Sequence, residues 1–188
     1  MVKQIFRAYQ YQGNAGNGNL KYCSECGAEC FLKESDGRIR SVCCACGFIH
    51  YKNPAPGVSV LIAKEGRVLL GKRAPGNYGA GRWCLPCGYI EYDEDFLTAG
   101  VREVEEETGL QVEIKSIINV NANFLAPGIH TLVIVLFGQV IGGSLKPGDD
   151  IGALGWFDPL ELPELAFEAD QYIIDRYRVS KLEGLTVE

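Results

Sequence analysis

Acidic side chains are concentrated in one short stretch of the sequence. Eight carboxylates and a single arginine lie between Glu91 and Glu107. On a helical wheel at about 100° per residue, Glu103, Glu106 and Glu107 fall within one turn and one sector. Carboxylates this close destabilise a helix unless a cation joins them, and oxygen ligands suit hard cations. The three glutamates are therefore candidate ligands for Mg2+ or Mn2+, the alternative being a solvated, glutamate-rich face.

The helix that must carry these glutamates is predicted from about Asp95 to Thr108, with Gly109 as its stop. A second sector of the wheel is expected to face the core, and it is formed by Leu97, Val101, Val104 and Thr108. Gly100 falls beside the glutamates, where the missing side chain would leave room for a ligand. We therefore expect a helix with one core face and one metal-binding face.

Four of the eight cysteines form two pairs, Cys23 with Cys26 and Cys43 with Cys46, and each pair is followed by glycine. Four thiolates in this spacing satisfy a tetrahedral Zn2+ ion and leave no open position, so the predicted ion is structural. The Asp36-Gly37 dipeptide between the pairs predicts a hairpin, which completes a zinc ribbon. Disulfides are the alternative, and they are disfavoured because nothing in the sequence signals export.

Composition and charge narrow the class of protein. The 188-residue chain is 47% hydrophobic and 22% charged, as globular proteins are. No apolar stretch approaches the ~20 residues of a membrane helix, and the start lacks a signal-peptide core, so we expect a cytoplasmic protein outside the membrane. Residues 1–54 have seven basic and four acidic side chains (net +3), and residues 55–188 have eleven and twenty (net −9). This balance permits nucleic-acid contacts by the smaller part without favouring them.

The sequence predicts three segments. Residues 1–19 are expected to form an N-terminal arm and a Gly/Asn-rich linker, residues 20–53 the zinc ribbon, and residues 54–188 a mixed α and β domain. Elements predicted within the larger domain are a hairpin around Lys64 to Gly66, strands at 112–121, at 130–141 and near Leu154, and a second helix at about 168–182.

The stretch around the acidic helix has a specific order. It reads Gly88, five residues, Glu94, seven residues, and then R-E-V-x-E-E-x-G-L from Arg102. This order resembles the Nudix box of the Nudix hydrolases, and the resemblance extends from about Pro54 to the C-terminal helix. Members of this family split nucleoside diphosphates linked to another moiety, using Mg2+ or Mn2+ and an attacking water. The resemblance implies an α/β fold, namely an α/β/α sandwich around a mixed sheet, preceded here by the small zinc-ribbon β domain.

The resemblance also implies roles for individual residues. Glu103, Glu106 and Glu107 would be the metal ligands, in agreement with the helical wheel. Arg102 would hold these glutamates in position, and the carbonyl of Gly88 would add a further metal ligand. The arginine, the three glutamates and the glycine would together form the catalytic metal site.

Other roles implied by the resemblance concern the edges of this site. Glu94 would contact the residues that bind the metal and not the metal itself. Gly109 would allow the tight turn at the end of the helix. The group that takes the proton differs among relatives, with Glu103 as one candidate. Another is an acid on a later loop, where Asp149 and Asp150 occupy the place in which similar proteins often have Glu. Asp150 is our catalytic candidate there, the alternative for both aspartates being a turn beside Gly148.

One position departs from the family pattern. Similar proteins have W-x-L-P-G-G before the box, whereas this chain has Cys87 in place of the first of those two glycines. If that position needs a positive φ, the cysteine strains the loop and disturbs the Gly88 carbonyl. Cys84 and Cys87 also form a third C-x2-C pair, which leaves three alternatives: inert thiols, a redox-active disulfide, or part of a soft-metal site.

The ribbon, the H-Y-x-N-P link and the L-A-F before the last helix together resemble the zinc-ribbon Nudix proteins. These include FAD and ADP-ribose pyrophosphatases, so we expect one of those substrates and release of AMP. NADH and NAD-type pyrophosphatases share the ribbon, but their S-Q-P-W-P-F-P-x-S stretch is absent here. A further alternative is a nucleotide- or nucleic-acid-binding regulator with a Nudix sensor domain. Relatives are often dimers, and residues 1–12 would suit a contact in a homodimer.

Overall fold

The computed structural model describes residues 19–126, 129–180 and 185–186. Two expectations lie outside these residues: the N-terminal arm with most of its linker, and the last two residues of the second predicted helix. No helix in the described part of the chain is both long and apolar enough to cross a membrane.

The chain divides into two compact units, a smaller one built around residues 19–54 and a larger one built around 55–123 and 131–180. The sheet of the smaller unit has three strands in chain order: β1 (Cys30–Ser35), β2 (Arg38–Cys43) and β3 (Ile49–His50). The β1-β2 hairpin turns at Asp36 and Gly37, with φ values of 53° and 72°. Two positive φ values in succession are what a tight hairpin turn requires, so the turn predicted there is confirmed.

Eight strands form the sheet of the larger unit. They are β4 (Ala55–Lys64), β5 (Arg67–Arg73), β6 (Trp83–Cys84), β7 (Cys87–Tyr89), β8 (Leu110–Ala126), β9 (Ile129–Gly143), β10 (Ile151–Phe157) and β11 (Leu185–Thr186). The order along the sheet is β10-β5-β4-β9-β8-β11, with β6 paired to β5 and β7 paired to β4. Because β4 runs parallel to β9 but antiparallel to β5 and β7, the expected mixed sheet is confirmed.

Two helices accompany this sheet, α1 (Phe96–Thr108) and α2 (Glu168–Ser180). The start of α1 is fixed by the side chain of Asp95, which accepts hydrogen bonds from the N–H groups of Leu97 and Thr98 at 2.8 and 3.0 Å. Its end is fixed by Gly109, whose φ of 68° lies in the left-handed region. Both predicted helices are present, and α1 has the predicted bounds.

The two faces of the sheet belong to two separate cores. Along β4, Val58, Val60 and Ile62 pack in the core that contains Ala99 and Val104 of α1. Leu61 points to the other side, into the core that contains Ile173 and Ile174 of α2. This alternation follows from the two-residue period of a strand, and it buries both faces of β4. The expected α/β/α sandwich is therefore confirmed.

The expectation for Gly100 is wrong. A Cβ added at Gly100 would lie 2.7 Å from Cδ1 of Leu136 and 3.5 Å from Cγ2 of Val60, so this residue faces the sheet and not a ligand site. An ideal wheel places Gly100 at the border of two sectors, and the sequence does not show how closely α1 approaches β9. The missing side chain allows this close approach.

Candidate active site and zinc site

The three glutamates of α1 differ in exposure. Glu103 and Glu107 are buried, at 7% and 1% exposed, whereas the side chain of Glu106 is half exposed. The wheel predicts neighbouring carboxylates but not this difference, because a segment 20 residues away covers Glu107. In that segment the Cys87 N–H donates to Oε2 of Glu107 at 2.9 Å. The acidic face of α1 is thus a partly covered site and not an open surface.

Strand β7 packs so closely on α1 that Gly88 has no room for a side chain. A Cβ at this position would lie 2.1 Å from both Cδ and Oε1 of Glu103, far inside van der Waals contact. A side chain at position 88 would therefore displace either the Glu103 carboxylate or the strand. Metal coordination by the Gly88 carbonyl stays a prediction.

The cysteine that departs from the family pattern causes no backbone strain. Among the described residues, positive φ at a position other than glycine occurs at Asp36, Glu65 and Asp149. Cys87 instead lies in β7, where it pairs with Ser59 of β4 in regular antiparallel register. The strain considered for this loop is therefore absent, and the backbone N–H of Cys87 remains available to Glu107.

Arg102 is the centre of a hydrogen-bond network on the exposed side of the site. Its Nη1 donates to Oε1 of Glu103 at 2.8 Å and to Oε2 of Glu106 at 2.9 Å. Its Nε donates to Oε2 of Glu94 at 3.0 Å, and its Nη2 donates to the Tyr89 carbonyl at 3.1 Å. The guanidinium pKa is raised, chiefly by Glu94, so the arginine is a fixed cation. Glu94 thus orients Arg102, which in turn orients two of the glutamates.

The buried carboxylates are short of positive charge. Burial is the main cause that raises the pKa of Glu103, and the charges of Glu106 and Asp149 raise it further against the opposing effect of Arg102. Burial likewise raises the pKa of Glu107 well above its usual range, and Cys84 and Asp150 add to this effect. A buried anionic cluster of this kind is stabilised when a cation binds. The donor set, which consists of carboxylate oxygens, fits Mg2+ or Mn2+.

The carboxylate oxygens do not converge on one point in this arrangement. Among the described residues, the four ribbon cysteines are the one group of three or more acidic, histidine or cysteine ligands whose ligand atoms lie within 4.8 Å of one another. Glu103 and Glu106 are held by Arg102, and Glu107 is held by the Cys87 N–H. These carboxylates would therefore have to exchange protein partners for a divalent ion.

Asp149 and Asp150 have different surroundings. Asp149 has a φ of 48° in the turn closed by the bond from the Ile151 N–H to the Gly148 carbonyl at 3.0 Å. Asp150 forms an ion pair with Arg73, with 2.7 Å between Oδ2 and Nη2, and its charge raises the pKa of Glu107. Both aspartates thus belong to a turn beside Gly148, which is the alternative to a catalytic role considered above. Asp150 also adjoins the buried Glu107. The catalytic role of Asp150 stays a prediction.

The thiols of Cys84 and Cys87 are free and in contact with each other. The Cys84 Sγ lies 3.7 Å from the Gly71 carbonyl oxygen and 3.9 Å from Nη1 of Arg73. Neither sulfur belongs to a group of three converging ligand atoms in the described part of the chain, so the structure does not support the soft-metal alternative. The inert and redox-active alternatives both remain predictions.

The ribbon cysteines have the geometry of a zinc site. The Sγ atoms of Cys23 and Cys46 are 3.7 Å apart, those of Cys26 and Cys43 are 3.5 Å apart, and those of Cys26 and Cys46 are 3.6 Å apart. Four ligands at ~2.3 Å in a tetrahedron would be about 3.8 Å apart. The N–H groups of Cys46 and Ala45 bond to Sγ of Cys43 and lower its pKa to about 6. The set fits Zn2+ with no position left for a substrate, so the zinc is structural.

Two residues near the active site, Arg73 and Asp170, are not among those predicted from the sequence. The buried carboxylate of Asp170, on α2, accepts a hydrogen bond from the Leu85 N–H at 3.0 Å and has a pKa raised to about 7, mainly by burial. An acid at helical spacing from the buried Ile173 and Ile174 is a signal that could have identified it. Arg73 gives no such signal, since its partner is 77 residues away in the sequence.

This geometry defines a hydrolase of the Nudix class with an attached zinc ribbon, and comparison with known proteins agrees. Residues 53–177 match the family described as NUDIX domain, and residues 21–52 match the one described as Nudix N-terminal. The chain belongs to the Nudix family and is a nucleotide pyrophosphatase that uses a divalent metal.

Individual relatives support this assignment. The chain is 40% identical over 129 residues to an ADP-ribose pyrophosphatase of Methanocaldococcus jannaschii. This alignment covers 68% of this chain and 76% of that protein. It is 27% identical over 183 residues to the NAD-capped RNA hydrolase NudC of Stutzerimonas stutzeri, covering 95% of this chain but only 64% of NudC. A crystal structure of a NUDIX hydrolase from Nitrosomonas europaea is similar with a TM-score of 0.77 at 30% identity, over 89% of this chain and 96% of that one.

Proposed function

We propose that this protein hydrolyses the pyrophosphate bond of ADP-ribose, with FAD as the second candidate substrate, and releases AMP. The observation that carries the proposal is the pair of buried carboxylates, Glu103 and Glu107, which lie beside the exposed Glu106 and have raised pKa values despite the contact of Glu103 with Arg102. Such a site gains most from a divalent cation that arrives with an anionic substrate. The similarity to the ADP-ribose pyrophosphatase of M. jannaschii supports the choice of substrate.

The residues have separate tasks in this reaction. Glu103, Glu106 and Glu107 would hold Mg2+ or Mn2+, with the Gly88 carbonyl as a further ligand. When bound, the ion neutralises diphosphate charge and lowers the pKa of an attacking water. Arg102 orients two of the glutamates through Nη1.

We place Asp150 as the group that accepts the proton of the attacking water. It adjoins the Glu107 carboxyl group, and apart from that neighbour its buried Oδ1 has no hydrogen-bond partner among the described residues. Glu103 is the competing candidate, and each of the two carboxylates has an arginine on one oxygen, Arg102 on Glu103 and Arg73 on Asp150. We prefer Asp150 because Glu103 would be occupied as a metal ligand, which leaves Asp150 as the nearby carboxylate outside the metal-binding set.

The test is a product assay by chromatography, in which ADP-ribose, FAD and NADH are each incubated with the protein and Mg2+. We expect AMP to appear fastest from ADP-ribose and to disappear with Glu106→Gln. Glu105→Gln is the matched control, because it is an exposed neighbour on α1 outside the three metal-binding positions. Absence of metal-dependent AMP release from all three substrates would refute the proposal.

A second candidate function is NAD-type pyrophosphatase activity. The alignment with NudC, which extends over 95% of this chain, favours it. The absence of the stretch S-Q-P-W-P-F-P-x-S from the sequence argues against NAD-type activity. NADH turnover faster than that of ADP-ribose in the same assay would select this candidate.

Several predictions from the sequence remain proposals of the same kind. These are the homodimer, the cytoplasmic location, and the division into an arm at 1–19, a ribbon at 20–53 and a Nudix domain at 54–188. Light scattering at several protein concentrations tests the dimer. The regulator alternative predicts nucleic-acid binding that weakens steeply with salt, and turnover in the product assay would count against it.

A further inference from the structure

We propose that Arg73 is a positioning residue that fixes the Asp150 carboxylate beside Glu107. This inference rests on the proposed function, in which Asp150 accepts the proton of the attacking water. Arg73 ends β5, and Asp150 directly precedes β10, which pairs with β5 in the sheet. The Arg73 Nη2 donates to Oδ2 of Asp150 at 2.7 Å, with the two side chains only 11% and 26% exposed. Because of this partial shielding from water, the pair is screened less than a fully exposed ion pair.

Three further contacts fix the guanidinium itself. Its Nε donates to the Tyr78 carbonyl at 2.6 Å, and its Nη1 lies 3.9 Å from Sγ of Cys84. The group also lies over the ring of Phe167, 5.7 Å from its centroid. Because a guanidinium is planar and rigid, contacts at Nε and Nη1 also determine the direction of Nη2. The direction in which Arg73 holds Oδ2 of Asp150 is therefore set by the fold.

The main chain restrains the same aspartate. The Ala74 N–H donates to the Asp150 carbonyl at 2.7 Å, so the residue is tied to the end of β5 through both its backbone and its side chain. The other carboxylate oxygen, Oδ1, is buried and, apart from the neighbouring Glu107 carboxyl group, has no hydrogen-bond partner in the described part of the chain. The carboxylate adjoins that of Glu107. Arg73 thus occupies one oxygen of Asp150 and leaves the other available at the metal-binding site.

A double-mutant cycle tests this role, with Arg73→Met, Asp150→Asn and the double variant assayed on ADP-ribose with Mg2+. We expect Arg73→Met to lower kcat by about 10- to 100-fold, as the loss of an orienting partner does. The KM should change by less than about twofold, because a positioning residue does not touch the substrate. In the Asp150→Asn background the same change should lower kcat by less than about threefold, since the two residues act as one unit.

Arg73→Lys separates charge from geometry. Lysine keeps the positive charge but lacks the planar fork, so its kcat should lie between those of wild type and Arg73→Met. The control is Arg67→Met, at the exposed first position of β5, which should leave kcat and KM unchanged. If Arg73→Met does not fold, as judged by its thermal unfolding, Arg73→Lys in both backgrounds provides the same cycle.

The outcomes distinguish this inference from the proposed function. Equal losses of kcat in the wild-type and Asp150→Asn backgrounds would overturn the positioning role. Full activity of Asp150→Asn would also overturn it, while inactivity of Glu106→Gln in the same experiment would preserve the hydrolase. A wild-type protein with no metal-dependent turnover would overturn both.

Discussion

The zinc ribbon and the larger unit are stabilised in different ways. In the ribbon, two zinc-ligand cysteines, Cys23 and Cys43, are among the few buried side chains, whereas Phe31, Leu32 and Ile39 are 48%, 52% and 63% exposed. In the larger unit, two cores of fully buried aliphatic side chains enclose the sheet on both faces. A unit without an apolar core depends on its metal to fold, whereas a unit with two cores does not. One metal of this protein is therefore structural and the other functional.

The ligand atoms of the two metal sites also differ in how they are arranged before an ion binds. The four sulfurs of the ribbon already converge at distances suited to one ion. The glutamates of α1 are held apart by Arg102 and by the Cys87 N–H, so they must exchange partners when a divalent ion binds. A converging set retains its ion, and a set that pays this exchange cost releases its ion more readily. Tight retention suits a structural zinc, and exchange suits a metal that binds together with substrate.

The largest expected effect is the loss of the ribbon when zinc is removed. Chelation, or Cys26→Ser, should abolish hydrogen-exchange protection in peptides from 20–53, because zinc binding supplies the folding free energy of such units. Peptides from β4 and β5 should keep their protection. The control is Cys44→Ser, an exposed cysteine outside the zinc ligands, which should retain stoichiometric zinc. A ribbon that stays protected without metal would contradict the contrast drawn between the two units.

The next effect concerns the contact between β7 and α1. In Gly88→Ala the new methyl group would lie 2.1 Å from the Glu103 carboxylate, so either the strand or the glutamate must move. A displacement of ~1 Å at a catalytic group costs about 100-fold in rate, and we expect a loss of kcat of at least that size. The control Gly152→Ala has no atom closer than 3.9 Å to its added Cβ and should keep full activity. Comparable activity of the two variants would show that the close packing has no role in catalysis.

A smaller effect is expected from Asp170, whose pKa is raised from 3.8 to about 7, mainly by burial, against the opposing effects of the Leu85 N–H and the charge of Arg73. Between these values the folded protein keeps the proton that the unfolded chain has lost. The contribution of Asp170 to stability therefore falls as the pH rises from about 4 to about 7 and is constant above.

Asp170→Asn should flatten the pH dependence of the unfolding midpoint within this window, measured by thermal denaturation at constant ionic strength. Asp175→Asn, on the same helix but bonded to Gln171 at its surface, should keep the wild-type slope. If Asp170→Asn has the same slope as wild type, another group is responsible for it.

How much the sequence could predict also differs between the two regions. Cys23, Cys26, Cys43 and Cys46 lie in short motifs, and the turn at Asp36 is a local signal, so the ribbon could be derived from spacing alone. The glutamates of α1 could be placed on one helix for the same reason. Neither inference needs knowledge of which distant segments meet.

The remaining features of the site depend on contacts between segments that are distant in the sequence. The burial of Glu107 comes from β7, the ion pair of Asp150 from β5, and the orientation of Gly100 from its closeness to β9. A helical wheel reports angles around one helix and contains no information on the distance to a neighbour. This is why the wheel could place the three glutamates on one helix but assigned Gly100 to the wrong face.

The smallest expected effect tests this corrected position of Gly100. In Gly100→Ala the added methyl would lie 2.7 Å from Cδ1 of Leu136, a fully buried side chain of the core around α1. Overpacking of this kind costs about 1–3 kcal/mol, whereas replacing glycine in a helix recovers about 0.5–1 kcal/mol. A net loss of about 1 kcal/mol should lower the unfolding midpoint by roughly 2–4 °C in a chain of this size. Stabilisation by Gly100→Ala, with unchanged stability of Gly152→Ala, would show that α1 has more space above β9 than the structure gives it.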